Sequence, residues 1–188
     1  EKLLHKARLL YNECSFDVAK KLLDEVQHSN PTHMQQHEAD ALLALIAYHC
    51  DPLSAAGVIE EYLRRYPDAP EQNRMKALVL LSYYAQGNYA KVITGMQEVE
   101  PDGLNDKERD DVILAYALSM IKEGQYEAAS VQLDILKLIS DSYDDEVVFY
   151  TAYTAYMDKR YDAAEEGFTQ ALNATKYHRQ SRYYLAEI

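Results

Sequence analysis

Apolar residues recur along this chain at the spacing of one helix face, in pairs of short runs. Leu78, Leu81 and Tyr84 form one run, and Ile113, Tyr116, Ala117 and Met120 another. Each is followed by a brief polar break and a second run, such as Ala129, Leu133 and Leu136, or Ala164, Phe168 and Ala171. The pattern predicts two amphipathic helices, a tight turn between them, and repetition of that unit.

The repetition can be aligned. Cys14-Ser-Phe16-Asp-Val-Ala19, Gly87-Asn-Tyr89-Ala-Lys-Val92, Gly124-Gln-Tyr126-Glu-Ala-Ala129 and Lys159-Arg-Tyr161-Asp-Ala-Ala164 share an aromatic residue with a small or β-branched one three later. A large apolar residue follows four positions on: Leu23, Met96, Leu133 and Phe168. Cys50-Asp-Pro52-Leu-Ser-Ala55, with Ile59, is a degenerate fifth copy. Taking Ala19, Ala55, Val92, Ala129 and Ala164 as equivalent, the steps are 36, 37, 37 and 35 residues. The small residue lets two helices approach, and the large one fills the gap beside it. Gly or a polar pair at the break suits an αα-hairpin. Pro31 and Pro67, each twelve residues after the small residue, are placed to end the second helix.

On these residues the chain resembles the tetratricopeptide repeat family, most closely around Tyr161–Ala171. The resemblance implies an all-α fold: a right-handed superhelical solenoid of antiparallel helix pairs. It would hold about five repeats plus one terminal helix, with approximate bounds 1–33, 34–72, 73–108, 109–144, 145–178 and a partial 179–188. The family's usual Trp is replaced by Leu3, Ala39, Lys76, Ile113 and Val148, and Pro52 stands where repeat two should have its aromatic residue. A narrower resemblance lies in Val58-Ile59-Glu-Glu-Tyr62-Leu-Arg-Arg-Tyr66-Pro67-Asp-Ala-Pro70, which is similar to helix ends in the BamD and YbgF-like cell-envelope families. Glu98–Arg109 and Tyr183–Ile188 are similar to stretches of very large envelope repeat proteins of Bacteroidetes. These imply a periplasmic or outer-membrane-associated scaffold, with a cytoplasmic location as the alternative.

Composition fits paired helices. Gly and Pro total eleven of 188 residues, too few for a turn-rich β protein. The net charge of −12 argues against nucleic acid, which needs a basic stripe, and against an anionic membrane surface. No apolar run approaches the roughly 18–20 residues of a membrane span, so no membrane insertion is expected. Residues 101–150 carry twelve Asp/Glu against four Lys/Arg. The chain starts at Glu1 and stops at Ile188 within an apparent helix, so it is read as a piece of a larger protein.

Candidate chemistry is sparse. His33 and His37, four apart, share a face if their helix begins early enough, and zinc could bind there with a third ligand such as Glu38, but no His-Glu-x-x-His motif or nearby cysteine pair accompanies them, and polar residues at a helix start after Pro31 are the favoured reading. Asp141–Glu146 and Asp106–Asp111 read as solvated helix starts, with Ser142 or Asp144 as cap of the former. Cys14 and Cys50 are expected to fill small-residue positions at hairpin turns, too far apart to bridge. His49 beside Cys50 points away from it and has no orienting carboxylate. No catalytic residue, metal or cofactor is expected, and the chain is read as a non-enzyme.

What remains is a binding surface. The resemblance implies that first helices line a concave groove, through positions that here include Tyr48, Arg74, Tyr84, Phe149, Tyr153, Tyr156 and Tyr184. The Lys/Asn/Arg set with which some members hold a carboxyl terminus is missing. Phe149, Tyr153 and Tyr156 recur about once per turn and present either a peptide-binding stripe or a core packed against the next repeat. The expected function is a non-catalytic scaffold for a protein or peptide, with dimerisation through the exposed C-terminal helix end. The alternatives are a sensory domain of a signalling protein and a helical platform for an enzyme domain outside these residues.

Overall fold

A computed structural model describes all of residues 1–188 and contains helices and turns only. Eleven α-helices follow one another: α1 (Lys2–Asn12), α2 (Phe16–His28), α3 (His33–Cys50), α4 (Ala56–Arg65), α5 (Gln72–Ala85), α6 (Tyr89–Gly95), α7 (Asp106–Lys122), α8 (Tyr126–Ile139), α9 (Asp144–Met157), α10 (Tyr161–Ala171) and α11 (His178–Glu187). They fall into two compact units, residues 1–88 with 98–103, and residues 89–97 with 104–188.

In the first unit α1 packs on α2, α2 on α3, α3 on α4 and α4 on α5, with α1 also reaching α3. Its core gathers Leu4, Ala7, Ala19, Leu23, Val26, Ala39, Leu42 and Ile46, with Leu10, Tyr11 and Phe16 at the edge. In the second unit α6 packs on α7, and each helix from α7 to α10 packs on the next through to α11. There Phe149, Ala152, Ala155, Ala164, Phe168, Ala171, Ala174 and Tyr177 are buried together. The small residue of every repeat is buried, and so are Leu23, Ile59, Leu133 and Phe168 four positions on. Burying such a side chain contributes about 1.5–3 kcal/mol, so the periodic slots are where the fold draws its stability.

The hairpin turns share one backbone. Cys14, Gly87, Gly124 and Lys159 all have positive φ, between 57° and 75°. At each, the next N–H bonds the carbonyl five residues back: Ser15 to Leu10, Asn88 to Tyr83, Gln125 to Met120 and Arg160 to Ala155, all at 2.8 Å. The positive-φ residue itself donates to the carbonyl three back, as Gly124 does to Ile121. This is the Schellman arrangement that satisfies the last carbonyls of a helix.

Repeat two closes differently. Asp51 follows α3 with φ −154°, and its carboxylate accepts the Leu53 N–H at 3.1 Å. The Pro52 carbonyl accepts the Ser82 hydroxyl and the Leu53 carbonyl accepts Nε2 of Gln86, so α5 pins the turn from outside. A proline in place of the aromatic residue thus removes the common turn but not the pair of helices. Repeat three also departs: its second helix is only seven residues, ends at Gly95 and passes into a 3-10 turn at Met96–Glu98. Within the first unit Asn73 holds the segment that follows, donating to the Glu100 carbonyl at 2.8 Å and accepting the Glu100 N–H at 2.7 Å.

Cys14 stands at the hairpin-turn position that Gly87 and Gly124 take in other repeats, as expected, and Cys50 is the last residue of α3; both are exposed free thiols. At Cys14 the requirement is for a backbone conformation, and the side chain projects outward. Two local expectations are corrected. Tyr143, rather than Ser142 or Asp144, takes the N-cap position of α9, without a side-chain capping bond, although Asp144, Asp145 and Glu146 do occupy its first turn. Asp110 is buried rather than solvated, held by Nε and Nη2 of Arg109 at 3.0 and 2.9 Å.

Candidate functional site

Two aromatic clusters stand out, one in each unit. In the second unit, ten rings run in an unbroken chain of contacts from α8 to α11. Tyr126 meets Tyr153 edge-on at 6.3 Å, and Tyr153 meets Tyr184 at 5.6 Å. Tyr184 also lies 5.1 Å from Tyr156 and stacks on Phe168 at 4.9 Å. Phe149 stacks on Tyr177 at 4.4 Å and lies 6.3 Å from Tyr184. Tyr150, Tyr161 and Tyr183 complete the set. Such pairs add roughly 0.5–1.5 kcal/mol each beyond burial.

The expected stripe therefore divides by depth. Phe149 is buried, whereas Tyr153, Tyr156 and Tyr184 are half-buried, each keeping part of its ring at the surface. Burial, with Tyr126 next to it, pushes the Tyr153 phenol above its ordinary value, and burial with Tyr153 does the same at Tyr184. Both stay neutral at physiological pH and present a hydroxyl at the end of a rigid ring. Tyr183 on the outer side of α11 is 60% exposed, and Ile188 is 43% exposed.

In the first unit the cluster is polar. Asp40 on α3 is only 9% exposed, yet its carboxylate is fully engaged. Oδ1 accepts Nε2 of Gln27 and of Gln36, both at 2.8 Å, and Oδ2 accepts Nη1 of Arg65 at 2.7 Å and the Tyr66 hydroxyl at 2.8 Å. One turn earlier, Nε2 of His37 lies 2.8 Å from the Tyr62 hydroxyl, which donates to Glu71 at 3.3 Å. The helix does start early enough to place His33 and His37 on one face, but there they pack on Tyr66. A cavity of about 360 Å³ opens beside them, lined by Met34, Arg65, Pro67 and Pro70 among others. At the far end of α3, His49 stacks on Phe16 at 5.6 Å and meets the Tyr11 hydroxyl at 3.0 Å.

The other expected groove residues of this unit, Tyr48, Arg74 and Tyr84, are half-buried on α3 and α5. Tyr48 contacts the His49 ring edge-on. All three take part in contacts rather than standing free.

Tyrosine hydroxyls donating to carboxylates are a motif of the whole chain. Besides Tyr62–Glu71 and Tyr66–Asp40, Tyr83 donates to Glu60 and Tyr143 to Asp111. Burial first, and the carboxylate second, raises each of these phenols; Tyr83 is pushed up to about 12. The pairing places acids from one helix against tyrosines of another, which sequence spacing does not reveal.

No family model matches the sequence, and no curated protein does. Among solved structures, MamA of AMB-1 superposes with a TM-score of 0.73 over 93% of this chain and 91% of that one, at 14% identity. TTC0263, a thermophilic TPR protein of Thermus thermophilus, covers 99% of this chain and 96% of its own at 19% identity, with a TM-score of 0.45. The chain has a tetratricopeptide-like all-α fold of antiparallel helix pairs, as the repeat pattern implies.

Proposed function

We propose that this chain is a non-catalytic interaction scaffold that holds a peptide or protein on the face lined by the first helices of its pairs. In the second unit this face carries Tyr153 and Tyr156 of α9 and Tyr184 of α11. In the first unit Tyr48, Arg74 and Tyr84 are the candidate contacts.

One observation carries the reading: three tyrosine rings are fixed against one another at 5.1–5.6 Å while each stays half-buried. Rings already held in place lose little entropy when a partner covers them, and each offers apolar area with a polar tip. Buried Phe149 and Phe168 form the floor that holds them. The fold itself supports the reading, because stacked helix pairs present extended faces suited to extended or helical partners. A role in a bacterial cell-envelope assembly is the finer proposal and rests on the likeness of residues 58–70 to envelope repeat proteins. Self-association through Tyr183 and Ile188 of α11 belongs to the same reading.

The test is capture of partners from the source cell with this chain as bait, beside Tyr153→Ala and Tyr156→Ala variants. Loss of a captured protein with unchanged thermal stability supports the surface. Marked destabilisation assigns the rings to the core instead. Sedimentation over a range of concentrations tests the self-association.

A further inference from the structure

The cavity beside the start of α3 is walled by rings. Of the residues that line it only Tyr66 is buried, so its ring is the floor. His33 and His37 meet that ring edge-on, at 6.1 and 4.7 Å. Pro67 and Pro70 add two more rings from the turn after α4. These walls are fixed in advance. The Tyr66 hydroxyl donates to Asp40 at 2.8 Å, and the Tyr62 hydroxyl lies 2.8 Å from Nε2 of His37. The Ala69 N–H donates to the Tyr66 carbonyl at 3.2 Å, and Nε2 of Gln72 donates to the same carbonyl at 2.5 Å. The two prolines lock their own φ angles. A cavity shaped before its ligand arrives loses little entropy on filling.

Charge does not select an ionic occupant. A Lys or Arg would meet Arg65 and the two imidazoles. An Asp or Glu would meet Asp68, the Asp40 and Glu61 carboxylates that hold Arg65, and Glu71 at 3.6 Å from His37. A ring-lined wall favours a neutral ring, through edge-on and offset contacts. The volume of about 360 Å³ is at the small end of ligand sites, with room for one bicyclic group rather than a run of side chains. The lining also carries acceptors, because the His33 ring and the Asp68 carboxylate make no hydrogen bond within the fold. Covering them without a donor would cost their hydration. Indole is the side chain that joins a bicyclic ring to one N–H. The chain has no Trp, so a second copy cannot supply it.

We propose that this cavity receives a tryptophan side chain of a partner protein, with the indole among the rings of Tyr66, His33 and His37 and its N–H donated to His33 or Asp68. None of the tyrosines assigned to the scaffold face lines it, so the proposal stands apart from that reading.

N-acetyltryptophanamide tests it. Because the intact chain has no Trp, indole fluorescence excited where tyrosine does not absorb reports the ligand alone. Saturable one-to-one binding is expected, with a dissociation constant of about a millimolar or below, the range of a small fragment. In proton NMR the ligand should shift the ring signals of His33 and His37 and leave those of His5, His28, His49 and His178 in place. N-acetylleucinamide and N-acetylargininamide should not compete. His33→Ala, at an exposed site, should weaken binding at least about fivefold with an unchanged thermal midpoint. Ala69→Phe should abolish binding by filling the cavity. Absence of saturation, shifts confined to the other histidines, full competition by the leucine amide, or undiminished affinity in His33→Ala each overturn the proposal. So does a dimer in sedimentation that His33→Ala dissociates, since a second copy would then occupy the cavity.

Discussion

Tyr66 donates its hydroxyl to Oδ2 of Asp40 at 2.8 Å, joining the end of α4 to the first half of α3 across 26 residues of sequence. The same carboxylate takes three further donors, from Gln27, Gln36 and Arg65. A buried carboxylate is tolerated only when its lone pairs are so filled. Asp40→Ala would strand the donors of three helices at once. We expect a loss of about 2–3 kcal/mol, at the lower end for a buried charge because Arg65 can turn to water. A fall in the urea midpoint with unchanged slope checks it.

The raised phenols predict alkaline sensitivity. Tyr62, Tyr66, Tyr143, Tyr153 and Tyr184 all lie above their ordinary value of 10, and Tyr83 and Tyr177 are pushed up to about 12. A group whose folded pKa is raised holds its proton more tightly when folded. Its contribution is complete below pH 10 and disappears as pH rises through the folded value. Thermal midpoints should therefore hold up to about pH 10 and fall steeply from there towards 12. Phenolate absorbance should lag behind that of a denatured control. Coincident titration of folded and denatured chains would refute the prediction.

Two helical glycines should respond to alanine with opposite sign. A Cβ at Gly57 in α4 meets nothing within 4 Å, so Gly57→Ala should stabilise by about 1 kcal/mol through helix propensity alone. At Gly167 in α10 a Cβ would lie 2.7 Å from the Ala152 Cβ and 3.2 Å from its Cα on α9. Gly167→Ala should destabilise by about 1–3 kcal/mol, since overpacking outweighs propensity. Denaturant titration of both variants decides it.

Gly124 separates conformation from contact. Its φ is +75° and the space around it is open, so Gly124→Ala costs only the strain of the left-handed backbone, about 1 kcal/mol. Lys159, at φ 60°, is the reverse case, and Lys159→Gly should stabilise by a similar amount. Equal and opposite shifts in thermal midpoint are the expected outcome.

The repeat unit was legible because its marks are local. Small residues recur at nearly constant steps, large ones follow four later, and a break precedes each aromatic residue. The small and large positions are the buried ones, except that Met96 is half-buried where Gly95 ends α6 early, whereas the aromatic residues are half-buried or, at Tyr161, exposed. The polar network was not legible. Nothing next to Asp40 in sequence marks it as buried, and its partners Arg65 and Tyr66 lie 25 and 26 residues away. Asp110 looked like a solvated acid because its burial comes from tertiary packing and not from its neighbours in sequence. The apolar outer face of α8, where Val131, Ile135 and Leu138 are exposed, was hidden by its own helix: the inner stripe of Ala129, Leu133 and Leu136 accounts for the helical periodicity. Only Ala128, Val131, Ile135 and Leu138, read as a second series out of phase with the first, would have exposed it.

The four Schellman turns accept very different side chains. At their key position stand a thiol, a hydrogen atom twice and an ammonium group, on backbones that differ by less than 20° in φ. What the turn demands is a torsion angle; the chemistry of the side chain is left open. The hairpin tips are therefore places where a probe can be attached without disturbing the helix pairs. Nature has already put a thiol at Cys14, so a fluorophore there would report on the first unit while its helices stay closed.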